Sequence, residues 1–179
     1  MCIFPDANPE YLTLSALLFH WADSYDSKDW ERLSRILAPV LLIDYTQVSG
    51  ESFPAMPAAA FVEMMSSPGF LGDPLLKTQH LLGLCEWDKV NDDFVIARQQ
   101  LRAGHLRFED ESHKVEKQRG HSHATNEFYF RRIWVREGEG EEGSGQGRWE
   151  WKWAGLKPEV RWNEFDFETI FGGFEAPTR

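Results

Sequence analysis

One change of hydrophobic period divides this chain. From Tyr11 to Tyr25, the residues Leu14, Leu17, Leu18 and Trp21 fall at helical spacing, which predicts an amphipathic helix. A second short helix is expected from about Ser27 to Leu37, capped by Ser27 and ended by Pro39, with Trp30, Leu33 and Ile36 inward. The run VLLIDYTQV from Val40 is β-branched and apolar, so it reads as a strand. Pro57 can open another helix through Phe61 and Met65. From Thr78 the period falls to two, and Thr78–Trp87, Phe94–Phe108, Val115–Arg136 and Trp149–Trp162 all read as strands. In RWEWKWAG, Trp149, Trp151 and Trp153 share one face while Glu150 and Lys152 take the other. SPGFLGDP is a loop and Asn91-Asp92-Asp93 a turn. In EFDFETIF, Phe167 and Phe171 would meet on one face of a short helix.

Helices ahead of long antiparallel strands argue an α+β fold, with helices packed on one strongly curved antiparallel sheet and closing an apolar pocket at its mouth. The 179 residues are read as a single domain, 1–179, with the acidic stretch 138–147 as a flexible hairpin tip. Eight Trp and thirteen Phe must line a core or a pocket, because exposing them would invite aggregation. The net charge is −10 and no long basic run exists, which argues against a nucleic-acid partner. No apolar run approaches the ~18 residues of a membrane span, and the first residues lack a signal-peptide pattern. Cys2 and Cys85 form neither a metal spacing nor a disulfide framework. The expected protein is cytoplasmic, free of the membrane and without a metal site.

Histidine is the side chain best suited to moving protons near neutral pH. His80 and His105 sit in strand patterns with apolar neighbours, so each reads either as an interior base or as a hydrogen-bonded core histidine. His121 and His123 share a strand face, but a metal pair there lacks a third ligand at a known spacing. Tyr25-Asp26 closes the first helix and Asp44-Tyr45 lies in the first strand. A carboxylate beside a histidine fixes its tautomer, and paired phenols can polarise a carbonyl. No phosphate-binding glycine loop, G-x-S-x-G elbow or Cys/His motif is present, which argues against nucleotide-dependent and nucleophilic chemistry.

WADSYDSKDWERL, LLIDY, AMPAAAFVEMMSS, LGDPLLKTQH, QQLRAGHLRF, GHSHATN and WAGLKPEVRWNEFDFETIF occur here in order. From about Tyr11 to Phe171 the chain thereby resembles the scytalone dehydratase family, the fungal melanin-pathway enzyme and its relatives. The resemblance implies the cone-shaped barrel of the nuclear transport factor 2-like, SnoaL-like folds. It also implies a homotrimer and no cofactor or metal. The implied reaction is loss of water from a hydroxylated cyclic ketone, an aromatic polyketide, with a ring becoming aromatic.

Residue by residue, the resemblance implies that Tyr25 and Tyr45 hold a water on the substrate carbonyl. His80 takes the α-proton and helps deliver it to the leaving hydroxyl. Asp26 pairs with His105, which contacts the departing oxygen, and Asn126 orients the substrate. Met64, Phe70, Leu156, Pro158, Phe167 and Phe171 are the expected pocket walls, with the C-terminal segment as a lid. The chain departs from the family at Ala124, where a Ser is usual, and at Ala103, where the wall residue is usually larger. Thr125 points away by strand alternation, so Ser122, on the correct face, is the substitute hydroxyl, acting through a water. The small residues favour a larger, tricyclic ketone. The alternatives are a non-catalytic aromatic polyketide-binding protein and an isomerase or cyclase using the same pocket.

Overall fold

The computed structural model describes residues 9–136 and 147–171. Helix α1, Pro9–Ser27, carries its buried stripe of Leu14, Leu17, Leu18, Trp21 and Tyr25 toward the sheet. Helix α2, Trp30–Ile36, is capped by Asp29 rather than Ser27: the Asp29 carboxylate accepts from the Arg32 N–H at 2.9 Å. Ser27 instead ends α1, its hydroxyl donating to the Asp23 carbonyl. Strands β1, Leu37–Tyr45, and β2, Glu51–Pro57, lead into helix α3, Ala58–Met65, with Pro57 at its N-cap. Four long strands follow: β3, Leu76–Asn91, β4, Phe94–Phe108, β5, Glu116–Arg136, and β6, Gly147–Phe165. A 3₁₀ turn, Phe167–Thr169, takes the place of the expected short helix. Apart from Gly147, which starts β6, the expected acidic hairpin tip lies outside the described residues.

The six strands form one sheet in the order β2-β1-β6-β5-β4-β3. This corrects the expectation of a cone-shaped, closed antiparallel barrel. The sheet is open: β2 and β3 are its two edges and do not pair with each other. It is also mixed, because β1 runs parallel to β6. The sequence of β2 supplies a physical reason for the edge. Pro54 and Pro57 have no N–H to donate to a further strand.

Several register shifts interrupt the long strands, and two of them keep the core face in phase. Phe130 pairs with Trp153 and Tyr129 with Gly155, so Ala154 is an extra residue in β6. Without it, Trp153 and Leu156 would lie on opposite faces. With it, Trp153, Leu156, Pro158 and Val160 stand opposite Phe130, Phe128, Asn126 and Ala124 on the inner face. Gly155 makes the bulge possible at φ +137, and a Cβ there would sit 1.9 Å from the Leu42 carbonyl oxygen. A second irregularity, between Leu82 and Cys85, does the same for β3.

The inner face divides into two regions. At one end Trp21 of α1 packs on Phe128 at 4.8 Å between ring centroids, and Phe61 stacks on Trp153 at 5.4 Å. Trp153 is fully buried, but Trp149 is half exposed because β6 runs out past the core. At the other end the apolar packing stops and a cavity opens.

Candidate active site

The cavity is bounded by α1, β1, the loop after α3 and the inner faces of β3 to β6. Cross-strand register assembles its floor. His80 of β3 pairs with Ala103 of β4, which pairs with Ser122 of β5. One step along, Leu101 pairs with Ala124, and then Gln99 with Asn126. Strand alternation puts Leu101, Ala103 and His105 on one face, with Ser122, Ala124 and Asn126 beside them. Thr125 points to the outer face, as expected.

His80 is joined to the C-terminal end of α1. Its Nδ1 lies 2.7 Å from Asp26 Oδ1, and its backbone N–H donates to Asp26 Oδ2 at 2.8 Å. Asp26 therefore pairs with His80, not with His105 as expected. The reason is topological: the Asp26 end of α1 lies against β3, the strand that carries His80. In the neutral tautomer with Nδ1–H directed at the carboxylate, Nε2 carries the lone pair. Trp21 and Tyr25 hold the ring edge-on, at 5.3 and 5.4 Å.

His105 lies across from His80 at 6.0 Å between ring centroids. Burial, reinforced by His80, His121 and Lys28, pushes its pKa down to about 3, so the ring is neutral at ordinary pH. Its Nδ1 has no hydrogen-bond partner among the described residues. Burial likewise holds the Tyr25 and Tyr45 phenols above their usual range, each beside the other, so both remain neutral donors. Tyr45 Oη contacts Met65 Sδ at 4.0 Å, and Tyr25 Oη lies beside the Tyr45 and Trp21 side chains without a well-formed hydrogen bond among the described residues. Asn126 is buried with its Oδ1 unpartnered.

The structure thus brings Tyr25, Tyr45, His80, His105, Asn126, Phe70, Leu156, Pro158, Phe167 and Phe171 to one cavity. Asp26 stands behind His80. Met64 is buried, yet the residue that faces the cavity is Met65; consecutive helical residues point about 100° apart. Ser122 and Ala124 both line the wall, with Ala103 between them and His80. Phe70, Phe167 and Phe171 also border the mouth, beside Tyr45 and Val48. Gly120 lets this cover sit close, because a Cβ there would lie 2.5 Å from Phe167 Cα. His121 and His123 face outward, each within 3.3 Å of Glu164, and His121 also meets Arg102. Among the described residues no cluster of three or more His, Cys, Asp or Glu could hold a metal ion.

Sequence reasoning placed Trp21 and Met65 on inward helix faces without naming them as cavity lining, and it singled out neither Asp73 nor Arg107, a largely buried ion pair near the cavity. For Arg107 a signal was available: it continues the inward phase of Ala103 and His105, where a charged residue needs a buried partner.

Residues 7–176 match the family described as Scytalone dehydratase. Scytalone dehydratase arp1 of Aspergillus fumigatus is 48% identical over 162 residues, covering 90% of this chain and 88% of that protein. Scytalone dehydratase of Pyricularia oryzae is 45% identical over 162 residues, covering 90% of this chain and 86% of that one. Among solved structures, an NTF2-like protein of Rhodospirillum rubrum is similar, with a TM-score of 0.54 and 15% identity over 82% of this chain and 97% of its own. That likeness concerns the fold alone.

Proposed function

Since this chain belongs to the scytalone dehydratase family, we propose that its cavity eliminates water from a hydroxylated cyclic ketone of an aromatic polyketide, with His80 as the base. The protein is a carbon–oxygen lyase. One observation supports the site assignment above the rest. His80, held from behind by Asp26, shares one aromatic cavity with buried polar atoms that have no hydrogen-bond partner among the described residues, His105 Nδ1 and Asn126 Oδ1 among them. Buried polar groups are seldom left unpaired, so these are poised for a ligand with polar edges and a flat apolar body.

His80 Nε2 takes the proton α to the carbonyl, and Asp26 stabilises the imidazolium that forms. Electron density moves onto the carbonyl oxygen, where Tyr25 and Tyr45 stabilise it directly or across a water. The enolate then expels the β-hydroxyl. The proton held on His80 leaves with that oxygen as water, and enolisation of the product completes the aromatic ring. Neutral His105 hydrogen-bonds the departing oxygen, and Asn126 fixes a ring hydroxyl. No net oxidation occurs, and every proton moves between substrate and side chain. Ala103, Ser122 and Ala124 put small side chains on the wall near His80, the feature that motivates testing tricyclic as well as bicyclic ketones. A homotrimer in the cytoplasm completes the reading; exposed Leu81, Trp162 and Phe165 supply apolar surface for contact between copies.

The test is turnover of scytalone in buffer alone, followed by absorbance as the ring aromatises. His80→Ala is expected to lower kcat by about 10²–10⁴-fold while the fold is retained. Near wild-type turnover by that variant would remove His80 as the base. Binding of tricyclic ketones without loss of water would favour the non-catalytic alternative, which the Ala124 departure motivates.

A further inference from the structure

We propose that Arg107 is a positioning residue that latches two separate segments into one aromatic cover over His105; the proposal rests on the dehydratase reading of the cavity. Arg107 sits near the end of β4, two residues beyond His105 and on the same inward phase. Its side chain and that of Asp73 are each 12% exposed. The guanidinium uses two edges. Nη1 lies 2.7 Å from Asp73 Oδ2, and Nε donates to the Ile170 carbonyl at 2.8 Å.

Those two partners belong to the two halves of the cover. Asp73 closes the loop after α3, where its other oxygen accepts from the Leu75 N–H at 2.8 Å. The same loop carries Phe70, and the Lys28 ammonium donates to its Leu71 carbonyl. Ile170, fully buried, follows the 3₁₀ turn and precedes Phe171. Phe70 and Phe171 meet at 4.7 Å, and Phe171 stands 5.0 Å from His105. Among the described residues, no backbone hydrogen bond joins the loop to the C-terminal segment. The Phe70–Phe171 contact and the fork of Arg107 both join them. A guanidinium makes the two bonds from two separate nitrogens fixed in one plane, whereas an ammonium would have to reach both acceptors from a single nitrogen.

The latch has a specific consequence for turnover. Substrate enters and product leaves between Phe70, Phe167 and Phe171, which line both the cavity and its mouth. Holding these rings down lengthens the stay of a bound ring and excludes water around His105. Loss of the fork frees both segments together, and the effect falls on binding and release more than on proton transfer.

The experiment compares wild type with Arg107→Leu, Arg107→Lys and Asp73→Asn by two readouts. The first is amide hydrogen exchange in residues 70–76 and 167–171 without ligand. The second is KM and kcat for scytalone. In Arg107→Leu, exchange is expected to rise in both segments at once, with KM up tenfold or more and kcat within about threefold. Asp73→Asn is expected to show the same pattern more weakly, and Arg107→Lys to restore the loop but not the 167–171 segment. Exchange rising in one segment only, or an unchanged KM in a folded Arg107→Leu, overturns the latch. Should Arg107→Leu fail to fold, the other two variants decide by the same readouts. A wild type that does not dehydrate scytalone or a tricyclic analogue counts against the dehydratase reading, while the exchange arm still judges the latch.

Discussion

His105 shows how far burial, reinforced by nearby cationic groups, can set a side chain's chemistry. Its ordinary pKa of 6.5 falls to about 3 in the fold. Between those values the unfolded chain binds a proton that the folded chain refuses, so stability is full above 6.5 and declines as pH falls toward 3. His105→Gln is therefore expected to flatten the acid limb by about one proton, ~1.4 kcal/mol per pH unit. Urea midpoints measured from pH 4 to 7 would show it, and an unaltered slope would assign that limb to other groups. The roles of individual residues were only partly legible in sequence. His80 and Asp26 are 54 positions apart, and no local spacing joins them; family resemblance named both but paired Asp26 with the other histidine. Both histidines face one cavity from neighbouring strands, so only the placement of α1 decides which of them receives the carboxylate.

The elements were easier to read where one period dominates. The Phe94–Phe108 strand agrees with the sequence reading at both ends, because its alternation is unbroken and turn residues precede it. Strand β2 was missed: ESFPAMP carries two prolines and no clean alternation, and it pairs only with β1 at an edge. The bulge at Ala154 was equally invisible, since WAGLKP reads as a regular strand until its partner is known. Yet that bulge places Leu156 and Pro158 in the cavity wall. Gly155→Ala should accordingly damage both stability and site. Its Cβ would strike the Leu42 carbonyl from a backbone conformation that alanine resists. A loss of more than ~1 kcal/mol is expected from that backbone conflict. Thermal unfolding together with KM would measure it, and a variant as stable as wild type would mean that β1 can move aside.

For the whole molecule the sheet is the organising feature, and its two faces do different work. The inner face holds the core and the cavity. The outer face carries the Arg102, His121, His123 and Glu164 cluster among exposed Leu81, Trp162 and Phe165. Three copies of a chain with charge −10 would repel one another, so the proposed trimer would have to draw on apolar contact and on local pairing of this kind. Sedimentation is expected to give a trimer, and Trp162→Glu to shift it toward monomer with the inner cavity intact; a wild-type monomer would remove the proposed assembly. The general class, helices followed by a long-stranded sheet, was legible from the change of period. Whether the sheet closes was not, because closure depends on how two distant edges meet.

The buried atoms of His105 and Asn126 that find no partner among the described residues also make this protein its own assay. Unfulfilled hydrogen bonding in a buried site weakens the empty fold, and whatever supplies the missing bonds strengthens it. A ketone at a hundred times its Kd adds about 2.7 kcal/mol. For a chain of this length that raises the melting temperature by roughly 5–10 °C. Candidate substrates can therefore be ranked by heat before any is seen to react, and a ring lacking one polar edge should melt lower than its complete counterpart.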